Sequence, residues 1–190
     1  MILGLGSNRC FECKDSVTLL AEACLCLEGI LNSVVFSSLY ETKAMYVTNQ
    51  SNFFNMAVKG FIKDDFSPFV LLEKIHEIEA KFGRNRAEEI RFGARSLDID
   101  IEEFGNLKMD LPELTLPHPR MKEREFVLIP VLEILNESAD SLRRKKIISF
   151  LQELPEQGVK KCCVEVQDKF KKLTNSKRNF FNLSESKNTV

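Results

Sequence analysis

The chain predicts an α+β fold, a sheet with helices packed on it. Two observations point there. Short apolar or alternating segments with strand period fall at 1–5, 33–40, 53–62 and 96–104, and longer stretches with helical period lie between and after them. Their order lacks strict β-α-β alternation, as expected of an α+β sheet rather than a doubly wound parallel one.

Met1 to Leu5 is a short apolar strand, closed by the turn composition Gly6-Ser7-Asn8. Val17, Leu20, Ala21, Cys24 and Leu27 recur at helical spacing, with Asp15 or Ser16 as cap and Gly29 and Asn32 as the end. Ser33 to Tyr40 reads as one strand, and Glu41 to Asn52 as a loop. Phe53 to Ile62 is a strand with Phe54, Met56 and Val58 on one face and Phe53, Asn55 and Ala57 on the other. Ser67-Pro68 starts a helix, as a capping serine before a proline, and Gly83 stops it. Ser96 to Phe104 alternates Leu97, Ile99 and Ile101 against Asp98, Asp100 and Glu102, a half-buried strand with an acidic outer face. A loop to about Pro117 precedes a helical stretch from Met121 to Leu135, interrupted by Pro130, and an amphipathic helix from Ser141 to Leu154. The domain is expected to span 1–163. The Lys-, Asn- and Ser-rich tail at 164–190 is expected to be partly disordered.

A length of 190 residues suits one domain, and 44% hydrophobic with 29% charged residues is ordinary for a globular protein. A net charge of −1 argues against nucleic-acid binding by bulk charge, and no apolar run reaches a membrane span. No secretory leader is visible at the N-terminus. The six cysteines include Cys10-x-x-Cys13, but no second such pair or His pair completes a zinc set, and Cys24 and Cys26 fall in an apolar helical pattern. Reduced thiols in a cytoplasmic protein are expected.

The chemistry concentrates at Asp98-Ile99-Asp100. Residues two apart in a strand project to one face, so both carboxylates converge there. Their mutual repulsion is relieved by a hard cation such as Mg²⁺, which takes carboxylate and phosphate oxygens. Alone, such a pair is more often a solvated strand face. Arg84, Arg86, Arg91 and Arg95 lie just upstream and change that balance, since arginine forks suit phosphates and metal plus arginine is the toolkit of phosphoryl transfer. His118, between two prolines, is either structural or a donor to phosphate. His76 and Glu79 read by spacing as a surface pair. Asn55 beside Phe53 suits a planar heterocycle, and a cross-strand contact explains it equally well.

Seven segments then carry a resemblance: LGLGSN (3–8), SSLYET (37–42), NFFNMAV (52–58), HEIEAKFGRNR (76–86), RFGARSLDIDI (91–101), LTLPHPRM (114–121) and REFVLIPVLEI (124–134). Together they resemble the 6-hydroxymethyl-7,8-dihydropterin pyrophosphokinases of folate biosynthesis. The resemblance implies a mostly antiparallel αβα sandwich related to the ferredoxin-like fold; the expected state is a monomer. It implies transfer of pyrophosphate from ATP, the co-substrate, to the pterin hydroxymethyl group, leaving AMP. By position, Asp98 and Asp100 would bind two Mg²⁺ ions. Arg84 and Arg95 would contact the phosphates catalytically, assisted by Arg86 and His118. His76, Glu79, Ile101, Thr115 and Arg124 would lie at the nucleotide. Phe53 and Phe126 would sandwich the pterin, Asn55 would read its polar edge, Thr42 would help to bind it, and Gly6 would allow close approach. The chain departs from the family at Phe92 (often Trp), Ala94 and Lys43 (often Pro), and at 87–90, which lack a lysine and carry one extra residue; these bear on loop closure and turnover.

Two other functions fit fewer residues. A metal-dependent nucleotidyl- or glycosyltransferase would use the same aspartates but gives no role to Phe53, Asn55 and Phe126. A ferredoxin-like RNA-binding module would use the basic loop and strand aromatics, and the acidic strand opposes it.

Overall fold

A computed structural model describes residues 1–44, 49–62, 66–86 and 93–185, with side chains in the last segment to 176. In chain order the elements are β1 (Ile2–Ser7), α1 (Ser16–Ile30), β2 (Leu31–Phe36), β3 (Tyr40–Thr42), β4 (Phe53–Ile62), α2 (Pro68–Lys81), β5 (Asp98–Glu103), β6 (Met109–Asp110), β7 (Thr115–Leu116), a 3₁₀ turn (Met121–Glu123), α3 (Glu125–Ile134), α4 (Ser141–Glu153), β8 (Lys160–Lys161) and α5 (Val164–Glu185). The main sheet runs β5-β1-β4-β3-β8, with β2 also on β4, and every pairing is antiparallel. Two split β-α-β units thus interleave, as in a ferredoxin-like sheet.

Local signals set most of these boundaries. The Asp15 side chain accepts the Thr18 N–H at 2.9 Å and starts α1. Ser67 does the same for Val70 at 3.3 Å, with Pro68 opening α2. Gly83 ends that helix at φ +80°, and the Phe11 ring lies where a β-carbon would stand, so the position is restricted to glycine twice over.

The sheet's two faces are covered differently. Leu3 and Leu5 of β1 pair with Val58 and Met56 of β4 and with Ile101 and Ile99 of β5. These six side chains join Leu20, Cys24 and Leu27 of α1 and Leu71, Ile75 and Ile78 of α2 in the main core. Each such buried side chain contributes about 2 kcal/mol. On the other face, Ile2 and Ala57 pack under Val127, Leu128 and Val131 of α3 and Ile147 of α4. That second layer covers only part of its face. The expected αβα sandwich is present, and its gap holds the site.

Three expectations change. The strand expected at 33–40 is two strands, because the chain bends at Ser37-Ser38. Ser37 donates its N–H to Ala57 O at 3.0 Å and accepts the Ala57 N–H through Oγ at 2.9 Å, replacing the ladder at the bend. The expected loops contain β3 and the β6–β7 ribbon, two or three residues per strand and too short for a periodic signal. The tail expected from 164, partly disordered by composition, opens as α5, whose first half packs on the domain. Phe170 and Thr174 are buried, with Phe170 in the main core and edge-on to Phe36. Gln167 bonds Leu39 at both backbone N–H and C=O, at 3.1 and 2.8 Å. A polar helix gains this order from its few apolar contacts, which composition alone conceals. Residues 186–190 lie outside the described residues.

Candidate active site

Beyond α3, the partly covered face forms a cleft lined by Gly4, Gly6, Thr42, Phe53, Asn55, Arg95, Asp98, Asp100, Glu102, Arg124 and Phe126, among others. Strand register builds its floor. Gly6 lies between Asn55 on β4 and Asp98 on β5, and Gly4 between Ala57 and Asp100. Adjacent strands are about 4.8 Å apart, so Asn55 and Asp98 stand about 10 Å apart across a residue with no side chain. A β-carbon on Gly6 would meet Asn55 Oδ1 at 3.1 Å.

At one end, Asn55 and Thr42 are buried, and Asn55 Nδ2 donates to Thr42 Oγ1 at 2.8 Å. Phe53 and Phe126 line the same end, with the Arg124 guanidinium 5.7 Å from the Phe126 ring centre. The other end is charged. Arg84 donates to Asp98 Oδ1 at 2.5 Å, and Arg95 donates to Asp98 Oδ2. Burial, the largest influence on Asp98, pushes its carboxyl up, but Arg84 and Arg95 together outweigh it and hold it below the ordinary value. Asp100 accepts from Arg124 at 3.2 Å; burial and then the Asp98 charge push it up to about 6 against the pull of Arg124 and Arg95.

Glu79 anchors this end. It is 1% exposed, accepts from Arg84 and from Arg86 (2.5 Å), and accepts the Ile99 N–H at 2.8 Å. Burial raises its carboxyl against the pull of Arg84 and Arg86. The surface pair that spacing suggested for His76 and Glu79 is therefore replaced: Glu79 turns inward to the arginines because α2 leans on β5. His76 is half-buried; burial, then Arg86 and Arg84, lower its pKa.

His118 follows the cis Leu116–Pro117 peptide and donates its backbone N–H to Glu102 O at 2.9 Å. Its Nδ1 accepts the Arg120 N–H at 3.2 Å, so the ring is neutral and the 3.9 Å approach to Glu102 is not an ion pair. Burial and then Arg124 lower it to about 4. Thr115, on β7 beside β5, donates to Asp110 Oδ1 at 3.0 Å. The Ile101 side chain is buried in the main core on the opposite face, which leaves only its backbone for a nucleotide. Arg91, Phe92 and the 87–90 segment lie outside the described residues.

Sequence reasoning passed over Asn8 and Glu102. Asn8 is buried, accepts the Arg95 N–H at 2.7 Å, donates its own N–H to Arg95 O at 2.9 Å, and reaches Gln50 and Ser51 O through Nδ2. It clamps the arginine segment to the first loop, and its place in the LGLGSN segment was the available signal. Glu102 was read as part of a solvated face; it is fully buried.

The model of one family matches residues 2–136, from β1 through α3: 7,8-dihydro-6-hydroxymethylpterin-pyrophosphokinase. The chain belongs to that family. It is 40% identical over 134 residues to the 2-amino-4-hydroxy-6-hydroxymethyldihydropteridine pyrophosphokinase of Bacillus subtilis, covering 70% of this chain and 75% of that one. It is 34% identical over 144 residues to the mitochondrial folate synthesis bifunctional protein of Arabidopsis thaliana, over 74% of this chain and 24% of the plant protein. The chain thus spans about a quarter of that longer relative. The crystal structure of wild-type Plasmodium falciparum HPPK-DHPS with SDX-DHP superposes with a TM-score of 0.51 at 16% identity, over 80% of this chain and 45% of that one, a likeness of fold. Among the described residues no helix is long and apolar enough to cross a membrane.

Proposed function

We propose that the chain transfers pyrophosphate from ATP to 6-hydroxymethyl-7,8-dihydropterin, giving AMP and the pterin diphosphate. One observation carries this: an amide-and-aromatic end and a carboxylate-and-arginine end share one cleft, on either side of Gly6. A flat, polar-edged ring fits the first end and a polyphosphate the second. A transferase that only clamps a nucleotide diphosphate, or an RNA-binding face, leaves one of the two ends without a use.

In the reaction, the pterin hydroxymethyl oxygen bonds to the β-phosphorus of ATP. The bond from that phosphorus to the oxygen bridging the α-phosphorus breaks, AMP leaves with that oxygen, and the hydroxyl proton is released. Phe53 and Phe126 hold the ring by its faces, and Asn55 with Thr42 holds its edge. Arg84 and Arg95, already aimed at Asp98, turn to phosphate oxygens with Arg86 at the rim, His118 donates from its Nε2, and His76 and Thr115 flank the nucleotide. These fixed donors stabilise charge as it moves to the leaving phosphate.

Asp98 and Asp100 fit Mg²⁺. Both offer hard oxygen donors to the cleft, and the Asp100 carboxyl is raised by burial and by the Asp98 charge, a repulsion that a cation would relieve. Two Mg²⁺ ions bound there would neutralise phosphate charge and polarise the phosphoryl oxygens. The same reading makes the enzyme a cytoplasmic monomer without a nucleic-acid partner, in keeping with its net charge of −1.

Incubation with ATP, Mg²⁺ and the hydroxymethyl-dihydropterin tests the proposal. AMP and the pterin diphosphate are expected in equal amounts; ADP in place of AMP would overturn it.

A further inference from the structure

The third acidic residue of β5 has no role in the reaction above. Ile2 pairs with Glu103 and Leu3 with Ile101, so Glu102 is the extra residue of a β-bulge. Glu102 keeps the side that Asp98 and Asp100 share and lines the cleft with them, at the point where the ladder to β1 shifts register. Its carboxylate lies over Gly4, where a β-carbon would meet Oε1 at 2.9 Å. Glu102 is 0% exposed, and neither carboxylate oxygen has a hydrogen-bond partner among the described residues. A buried acid left unpaired is costly, and the bulge and the glycine both serve to hold it there.

A complementary group lines the same cleft. Arg124 bonds Asp100 at 3.2 Å through Nη1, while its buried Nε has no partner among the described residues. Burial and then the Asp100 charge push the Glu102 carboxyl well above its ordinary value, and Arg124 is the group that opposes them. A buried acid and a half-buried arginine, each incompletely bonded among the described residues, therefore line one cleft, and Asp100 bonds the arginine.

We propose that Glu102 is a positioning residue for Arg124, taking its guanidinium when Asp100 is engaged by the cation of the bound nucleotide. This rests on the proposed cation site at Asp98 and Asp100. Once a cation takes the Asp100 oxygens, Arg124 loses its bonded carboxylate. Without a second one, the half-buried guanidinium would leave the Phe126 ring for solvent, and the pterin end of the cleft would open. Asp100 thus keeps the arginine near Phe126 in the free protein and Glu102 keeps it there once the nucleotide is bound, so the pterin end stays formed when the phosphate end fills.

The test compares wild type with Glu102→Leu and Glu102→Gln. Without ligand, Glu102→Leu should melt higher than wild type, because an unpaired buried acid is removed. Calorimetric binding of 6-hydroxymethylpterin should be equal in all three proteins without nucleotide. With Mg²⁺ and a non-hydrolysable ATP analogue present, it should weaken about tenfold in Glu102→Leu, the scale of one charge-assisted hydrogen bond, and less in Glu102→Gln. Equal weakening with and without nucleotide, or none, would overturn the proposal, as would a lower melting temperature for both ligand-free variants. Nucleotide binding by wild type that is indifferent to Mg²⁺ would instead remove the cation site itself, and this inference with it.

Discussion

The Glu79 carboxylate accepts the Ile99 backbone N–H at 2.8 Å, linking the last turn of α2 to the strand residue between Asp98 and Asp100. The same carboxylate holds Arg84 and Arg86. Glu79→Ala should cost about 3 kcal/mol of folding stability, because it leaves Arg84, 6% exposed, beside an empty site. Turnover should fall as well, since Arg84 and the aspartate strand lose their common anchor. Urea denaturation with steady-state AMP production checks both; a stable variant with normal turnover would remove Glu79 from this role.

Asp98→Ala and Asp100→Ala should each abolish AMP formation. Their effects on the free protein should differ. Asp98 is held low by two arginines, so its loss destabilises. Asp100, raised from 3.8 to about 6, contributes stability that is fully present below pH 3.8 and lost as pH rises through about 6. Asp100→Asn should therefore melt higher than wild type at pH 7.5 and lose that advantage near pH 4. Thermal melts at the two pH values decide this.

The His118 ring should stay neutral down to about pH 4, against an ordinary 6.5. The unfolded chain takes up that proton first, so this histidine contributes stability above pH 6.5 that is lost as pH falls through 4. His118→Asn should flatten that part of the acid limb. An NMR titration of the two histidines reads the ring directly, and a His118 midpoint near 6.5 would contradict the burial described.

Phe170 places α5 in the domain rather than beside it. Phe170→Ala should cost about 3 kcal/mol, as expected for an aromatic side chain removed from a core. A change within the scatter of surface substitutions would return the tail to an appendage. Limited proteolysis should likewise spare the chain between 164 and 174 in wild type and cut it in the variant.

The sequence by itself determined what depends on neighbours along the chain. Strand alternation set Asp98 and Asp100 on one face, capping residues placed the starts of α1 and α2, and Gly83 fixed the end of α2. The motif segments brought the family and nearly every residue of the cleft. Only the tertiary structure decided what that acidic face meets. Alternation says that Asp98, Asp100 and Glu102 share a side, but solvent and a cleft are equally compatible with it. The partial roof of α3 and the two glycines of β1 made it a cleft. The inward turn of Glu79, the clamp at Asn8 and the order in α5 likewise depend on partners far along the chain, such as Arg95 for Asn8 and Leu39 for Gln167. The pair at 98 and 100 was legible because its logic is local; the bulge at Glu102 was not, because a strand's register exists only when its neighbour is in place.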